Sequence, residues 1–173
     1  MKLSMYQASV PPMTRTLKSL SAILRKGAAH AKARKIDPAV LVNARLAPDM
    51  YPLSRQVQIA CDMAKFGAAR LAGVKPPRYP DRESTFPELL ARVQKTLKFL
   101  RRVKRAHVDG SENREIVLKF PRGSFKFRGL PYLTGWVLPN FYFHVIAAYA
   151  ILRHNGVDLG KMDYVGSIPT KDP

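Results

Sequence analysis

The feature that most constrains the fold is a long stretch without charge near the end of the sequence. Residues 131–152, PYLTGWVLPNFYFHVIAAYAIL, contain no Lys, Arg, Asp or Glu. A helix that is apolar all round has to be buried, in a protein core or in a bilayer. About 20 residues are long enough to cross a bilayer, but Asn140, His144 and two prolines would be costly in lipid. We therefore expect the core of a helical protein and no membrane.

Three further long helices are predicted from apolar residues at helical spacing. They cover residues 4–33, residues 52–71 and a segment from about residue 86 to residue 100. The second should be buried along one stripe of small and aliphatic residues, namely Leu53, Val57, Ala60, Ala64 and Ala68. The third should bury Phe86, Leu89 or Leu90, Val93, Leu97 and Leu100, and expose its basic residues.

Residues at the ends of these helices support the same boundaries. Asp37 before Pro38 predicts the cap of a short helix, and Gly73 predicts the end of the second long helix. Thr85 and Glu88 have the spacing of a capping box. Pro139 removes a backbone donor, so we expect a bend in the last helix, which should run from residue 131 to residue 154.

Between the third and the last long helix, the spacing of apolar residues changes from helical to alternating. In REIVLKFPRGSFKFRG, apolar and polar residues alternate on both sides of PRGS, which predicts a β-hairpin before the last helix. Its apolar face should carry Ile116, Leu118, Phe120, Phe125 and Phe127, and its outer face Lys119, Lys126 and Arg128. Four long helices with one hairpin predict an all-α fold of the helical-bundle type.

The composition of the chain further limits the class of protein to which it can belong. A chain of 173 residues fits a single domain covering residues 1–173. The single cysteine, Cys61, excludes an intramolecular disulfide, so we expect a cytoplasmic protein with a buried thiol. A formal net charge of +18 favours contact with polyanions. The basic residues are spread over several segments, which suits a solvated surface or, alternatively, a nucleic-acid-binding module.

A candidate site comes from polar residues inside apolar segments. Asn140 and His144 lie one helical turn apart, while Arg55, Gln58 and Asp62 share one face of the second long helix. If the two faces meet, Gln58, Asn140 and His144 converge. The result would be a hydrogen-bonded core histidine, a small-molecule pocket or a metal site in which His144 is a ligand. Three protein ligands are the usual minimum for zinc or nickel, and amides are poor ligands for these metals.

Several longer motifs resemble a known family. SMYQASVP, ARKIDPAVL, ARLAPDMYPLSRQVQIACD, REIVLKF and LPNFYFHV…AYAILRHNGVDLGK are similar to an uncharacterised bacterial and fungal family of the DinB/YfiT-like superfamily of metalloenzymes. The resemblance spans nearly the whole chain. It implies a four-helix bundle with up-down-down-up order and a tendency to form homodimers. It also implies kinship with thiol-dependent S-transferases and with a maleylpyruvate isomerase that uses a low-molecular-weight thiol.

The sequence differs from metal-binding DinB-like proteins at the positions of the metal ligands. Metal-binding DinB-like proteins use a histidine of the second helix and an HxxxH pair of the last long helix. Counting back from LRHNGV places Asn140 and His144 on the HxxxH positions, and the second-helix histidine near Gln58. One ligand of three remains. We therefore expect a degenerate metal-site pocket that binds a small molecule or a thiol, and keep two alternatives, a nucleic-acid-binding module and a dimerising structural protein.

Overall fold

The computed structural model describes residues 3–121 and 123–167. The chain is mostly helical and has one small antiparallel sheet of two strands. The elements, in chain order, are α1 (Met5–Arg34), α2 (Pro38–Asn43), α3 (Leu53–Ala72), α4 (Phe86–Leu100), α5 (Arg105–Val108), β1 (Glu115–Phe120), β2 (Gly123–Arg128), α6 (Gly129–Pro131), a π-helical segment (Tyr132–Val137), α7 (Leu138–His154) and α8 (Lys161–Val165).

The predicted helix ends are confirmed. Asp37 accepts a hydrogen bond from the backbone of Ala39 at the start of α2. Thr85 and Glu88 form the reciprocal capping box of α4. Gly73 ends α3 with a φ of 68°, a left-handed conformation that glycine adopts without the steric cost of a Cβ.

Contacts near both ends of α3 give its direction relative to α7. Gln56, near the start of α3, contacts His144 in the middle of α7. Arg70, near the end of α3, donates a hydrogen bond to the hydroxyl of Tyr132, just before α7. The two helices are therefore antiparallel. They pack closely, since a Cβ on Gly67 would lie 2.6 Å from a methyl of Val137.

The other long helices pack around this pair. The start of α4 meets Gly27 of α1, and Gln94, farther along α4, donates a hydrogen bond to Ser21, earlier in α1. α1 and α4 are therefore antiparallel. The apolar stripe predicted for α3 is fully buried, and α4 buries Leu89 rather than Leu90. These side chains form one continuous core.

The last long helix is interrupted near Pro139, as predicted. The interruption is a π-helical segment before α7, whereas a bend was expected. Helical structure begins at Gly129, two residues earlier than expected, and six residues before α7 are π-helical. A π-helical turn leaves carbonyls without their usual partners four residues on. The side chain of Asn140 donates a hydrogen bond to the carbonyl of Trp136, within this segment, over 2.7 Å.

Gly129–His154 is also the one helical stretch, within the described residues, that passes a test of length and composition for a membrane span. About 39% of its most apolar window is buried inside the protein. The buried part packs mainly against α3 and α1.

The hairpin forms where it was predicted, with Glu115 opposite Arg128 and Phe120 opposite Gly123. Ile116 and Leu118 are buried, as expected. The expectation was wrong for Phe120 and Phe125, which are 45% and 56% exposed. Both rings contact Trp136 with centroids 6.2 Å apart. Residues at the turn end of a two-stranded sheet have few packing neighbours, so alternation alone does not bury them.

Candidate functional site on helix α3

His144 of α7 is buried against Gln56 of α3. Its side chain is only 9% exposed, and Nδ1 lies 2.7 Å from Gln56 Oε1. Buried polar groups need hydrogen-bond partners, and this contact provides one to each side chain. The imidazole therefore points into the protein, as the sequence predicts, but its partner is Gln56 and not Gln58.

A second hydrogen bond sets the protonation of the imidazole. Gln56 Nε2 donates to the carbonyl of Tyr51 over 3.0 Å, so its oxygen has to face His144. An amide oxygen only accepts hydrogen bonds, and Nδ1 of His144 must therefore carry the proton. Nε2 is left with a lone pair, and the structure gives it no acceptor or donor among residues 3–121 and 123–167.

The surroundings keep this imidazole neutral. Burial, and secondarily the positive charge of Arg55, lower the pKa of His144 below its ordinary value. A neutral imidazole with its Nδ1 protonated offers Nε2 as a hydrogen-bond acceptor or a proton acceptor. The site thus combines one accepting nitrogen with one nearby cation.

The expected convergence of three side chains does not occur. Asn140 is half-buried and donates to its own helix. Gln58 accepts from Arg55 and donates to Glu83, which lies in the segment between α3 and α4. Residues two apart on a helix point about 200° away from each other, so Gln58 cannot share the direction of Gln56.

Asp62 lies on the same side of α3 as Gln58. It accepts Lys65 Nζ at 2.7 Å and Arg92 Nη2 at 2.9 Å. The prediction that Arg55, Gln58 and Asp62 share a face is confirmed. Gln58 and Asp62 contact the segment before α4 and α4 itself, whereas Arg55 lies at the edge of this face, close enough to His144 of α7 to lower its pKa.

An ion-pair cluster is built on that face. Arg92 of α4 pairs with Asp62, with Asp81 at 2.8 Å and with Glu83 at 3.1 Å. Arg55 pairs with Asp81 on the outside. With Lys65, three cations balance three carboxylates. We call these six residues the Arg92 cluster.

Sequence reasoning missed the centre of this cluster. Arg92 was expected on the exposed basic face of α4, yet it is 1% exposed. Its neighbour Val93 belongs to the apolar stripe, and Arg92 follows Leu89 by three residues, which places it at the edge of that stripe. The spacing of Gln56, three residues after Leu53 and four before Ala60, carried the same signal.

The cluster shifts the pKa values of two of its members, Arg92 and Asp81. Burial alone would lower the pKa of Arg92, but the carboxylates of Asp62 and Glu83 outweigh it and raise that pKa. Burial likewise opposes the ionisation of Asp81, yet Arg55 and Arg92 hold the pKa of its carboxyl below the ordinary value. Arg92 and Asp81 therefore stay charged at neutral pH.

Cys61 lies beside this cluster and is fully buried, as the sequence predicts. Burial raises the pKa of its thiol to about 12, although Thr96 and Arg92 act in the opposite direction. The thiolate is the reactive form of cysteine. Cys61 is therefore a packing residue in the folded protein and not a nucleophile.

The family assignment follows from comparison with known proteins. A family model described as a domain of unknown function, DUF1993, matches residues 5–165. The chain belongs to the DUF1993 family. The crystal structure of a DinB family member protein from Shewanella denitrificans is similar, with 42% sequence identity and a TM-score of 0.88. The match covers 97% of this chain and 95% of that one. A comparison with curated proteins gave no significant match.

The donor atoms of this DUF1993 chain do not fit a DinB-type metal centre. His144 Nε2 is the one imidazole nitrogen at the site, the oxygen of Gln56 is taken by His144, and Arg55 places a positive charge nearby. Within the described residues, no group of three or more His, Cys, Asp or Glu side chains is placed to hold one ion. Three such ligands are the usual minimum.

Proposed function

We propose that this protein is a DinB-like four-helix bundle, in up-down-down-up order, that binds a small molecule without a metal. The contacts support this order, because α3 is antiparallel to α7 and α1 is antiparallel to α4. α3 runs parallel to α4, since Gln58 contacts Glu83 before α4 and Asp62, farther along α3, contacts Arg92 within α4. The two metal-ligand positions outside His144 then correspond to Gln56 and Asn140. The compartment that suits it is the cytoplasm.

One observation carries the proposal: the hydrogen bond from His144 Nδ1 to Gln56, which leaves Nε2 as an acceptor beside Arg55. The ligand would place an O–H, N–H or S–H group at Nε2 and a negative charge toward Arg55. A low-molecular-weight thiol with carboxylate groups meets both requirements. When such a thiol ionises there, its proton passes to Nε2 and Arg55 stabilises the thiolate.

Titration calorimetry with glutathione tests this site. We expect one bound molecule per chain, with binding abolished in His144→Phe and weakened in Arg55→Gln. His30→Phe is the matched control, because it removes an imidazole elsewhere. Heat that is unchanged in His144→Phe, or near-stoichiometric zinc or nickel in the purified protein, would contradict the proposal.

A homodimer is a second proposal, favoured by a separate observation. Phe143 and Ile146 lie on the outer face of α7 and are 53% and 41% exposed. Large exposed apolar residues on one helix face are typical of interfaces. Light scattering after gel filtration should show a dimer, and Phe143→Glu with Ile146→Glu should convert it to a monomer. A wild-type monomer at high concentration would refute this assignment.

A further inference from the structure

A groove separate from the His144 site lies between α4 and the segment that follows α3. Its volume is about 600 Å³. This volume is in the range of roughly 300–1,000 Å³ that is typical of small-molecule sites. Val74, Tyr79, Lys95, Lys98, Phe99 and Arg102 are among the residues that line it.

The rim of the groove is positively charged. Lys75, Lys95, Lys98 and Arg102 are exposed, and no Asp or Glu contributes to the lining. None of the four cations forms an ion pair with any residue in the described ranges 3–121 and 123–167. In the Arg92 cluster, by contrast, each cation has a carboxylate partner. The groove therefore presents cations whose charge is not neutralised by the protein.

The walls of the groove are apolar. Val74 is 39% exposed, and Phe99 is half-buried beside it, between the charged residues of α4. A surface that serves only to attract charge does not need such walls. Apolar area that is covered by a ligand contributes to its binding in addition to the charge.

The groove is also largely preformed. Tyr79 donates a hydrogen bond to the carbonyl of Lys95 over 3.2 Å, and its ring centroid lies 4.4 Å from the ammonium of Lys65. Pro76 and Pro77 restrict the backbone of the opposite wall. A ligand that enters a preformed site loses less free energy to the ordering of protein groups.

We infer that this groove binds a small organic anion with an apolar body and one carboxylate or phosphate group. The body would lie on Val74 and Phe99, and the anionic group would contact Lys98 and Arg102. This inference is independent of the thiol site, since it uses a different surface and other residues.

Titration calorimetry with 2-naphthoate tests the inference. A ligand of this size should bind one site per chain with a dissociation constant of about 1 mM or less. The neutral analogue 2-naphthamide should bind at least about tenfold more weakly, because it lacks the charge. Acetate, which has the charge without the apolar body, should give no heat in the same concentration range.

Two double variants separate the groove from general electrostatics. Lys98→Gln with Arg102→Gln removes two groove cations, and Arg25→Gln with Lys32→Gln removes the same charges from exposed positions of α1. All four residues are exposed, so both variants should fold. We expect 2-naphthoate to bind about tenfold more weakly to the first and within about twofold of the wild type to the second. His144→Phe should leave this binding unchanged.

Four results would overturn the inference. Equal weakening in both double variants would mean that the total charge, and not the groove, attracts the anion. Equal affinity for 2-naphthamide would show that the groove does not select an anion. No heat with 2-naphthoate at 1 mM would show that the groove does not bind this ligand. If a single-stranded oligonucleotide bound with a steep salt dependence that only the groove variant reduced, while 2-naphthoate binding did not change, the surface would be a polyanion site.

Discussion

Helix α3 carries two polar sites on different faces, and they differ in charge. Toward α7, Gln56 and His144 form a neutral pair that is held by one hydrogen bond. Toward α4, Arg92 joins three carboxylates in a buried ionic cluster. A neutral pair loses one hydrogen bond when a partner is removed, whereas an ionic cluster is left with unbalanced charge. The structure should therefore tolerate change at His144 far better than at Arg92.

The largest effect is expected for Arg92→Met. Asp62, Asp81 and Glu83 would lose their shared cation, and breaking a buried pair in this way costs about 3–5 kcal/mol of unfolding free energy. Urea unfolding measures the loss. Arg101→Met is the control just after the same helix, because Arg101 is exposed, and it should change stability by less than about 0.5 kcal/mol. Equal losses in the two variants would show that the cluster is not structural.

A smaller effect is expected for Gln56→Leu. The variant leaves Nδ1 of His144 and the carbonyl of Tyr51 without partners, which costs about 1–3 kcal/mol. The double variant Gln56→Leu with His144→Phe should recover part of this loss, since both polar groups are then replaced. A double variant that is less stable than Gln56→Leu would contradict the pairing of these two residues.

The neutral pair also predicts a dependence of stability on pH. Because the pKa of His144 is lowered in the folded protein, the unfolded chain binds a proton first as the pH falls. The contribution of His144 is complete above the ordinary histidine pKa, and it is lost as the pH falls from about 7 toward the lowered folded value. Unfolding free energies at pH 7.5 and pH 5.5 measure it. His144→Phe should show a smaller difference, and an equal difference would assign the effect to other groups.

The reactivity of the Cys61 thiol measures how well the Arg92 cluster protects this part of the core. A thiol with a pKa of about 12 is protonated and buried at pH 8, so a disulfide reagent should modify it only after unfolding. Arg92→Met should accelerate the modification by loosening the region around it. Rapid modification of the folded wild type would show that this thiol is accessible.

The smallest effect on stability is expected for Arg55→Gln. Its pair with Asp81 is partly exposed, and such pairs contribute about 0–1 kcal/mol. The variant should nevertheless raise the pKa of His144, because it removes the cation that helps to lower it. An NMR titration of the imidazole measures this shift. An unchanged pKa would mean that Arg55 is not part of the histidine site.

Local patterns in the sequence account for much of the fold. The capping residues Asp37 and Thr85 satisfy backbone groups within a few residues of themselves, so they can be recognised without knowing the tertiary structure. The apolar stripe from Leu53 to Ala68 likewise repeats at a local spacing. The predicted helix ends are therefore close to the observed ones.

The candidate site was harder to predict because it depends on which helix faces which. Gln56 and Gln58 differ by two positions, and the choice between them requires the rotation of α3 relative to α7. Asp81 and Glu83 lie in a segment with no periodic pattern, and only the folded chain brings them to Arg92. The sequence reveals that polar residues share a face, but it does not reveal the partner of that face.

The tautomer of His144 is the most direct test of the neutral pair in which its Nδ1 donates a hydrogen bond to Gln56 Oε1. Two-bond ¹H–¹⁵N correlation spectra at pH 7.5 distinguish the ring nitrogens. We expect a neutral imidazole protonated at Nδ1, with spectra that do not change when equimolar zinc or a chelator is added. A proton on Nε2, or signals of His144 that shift with stoichiometric zinc, would contradict it.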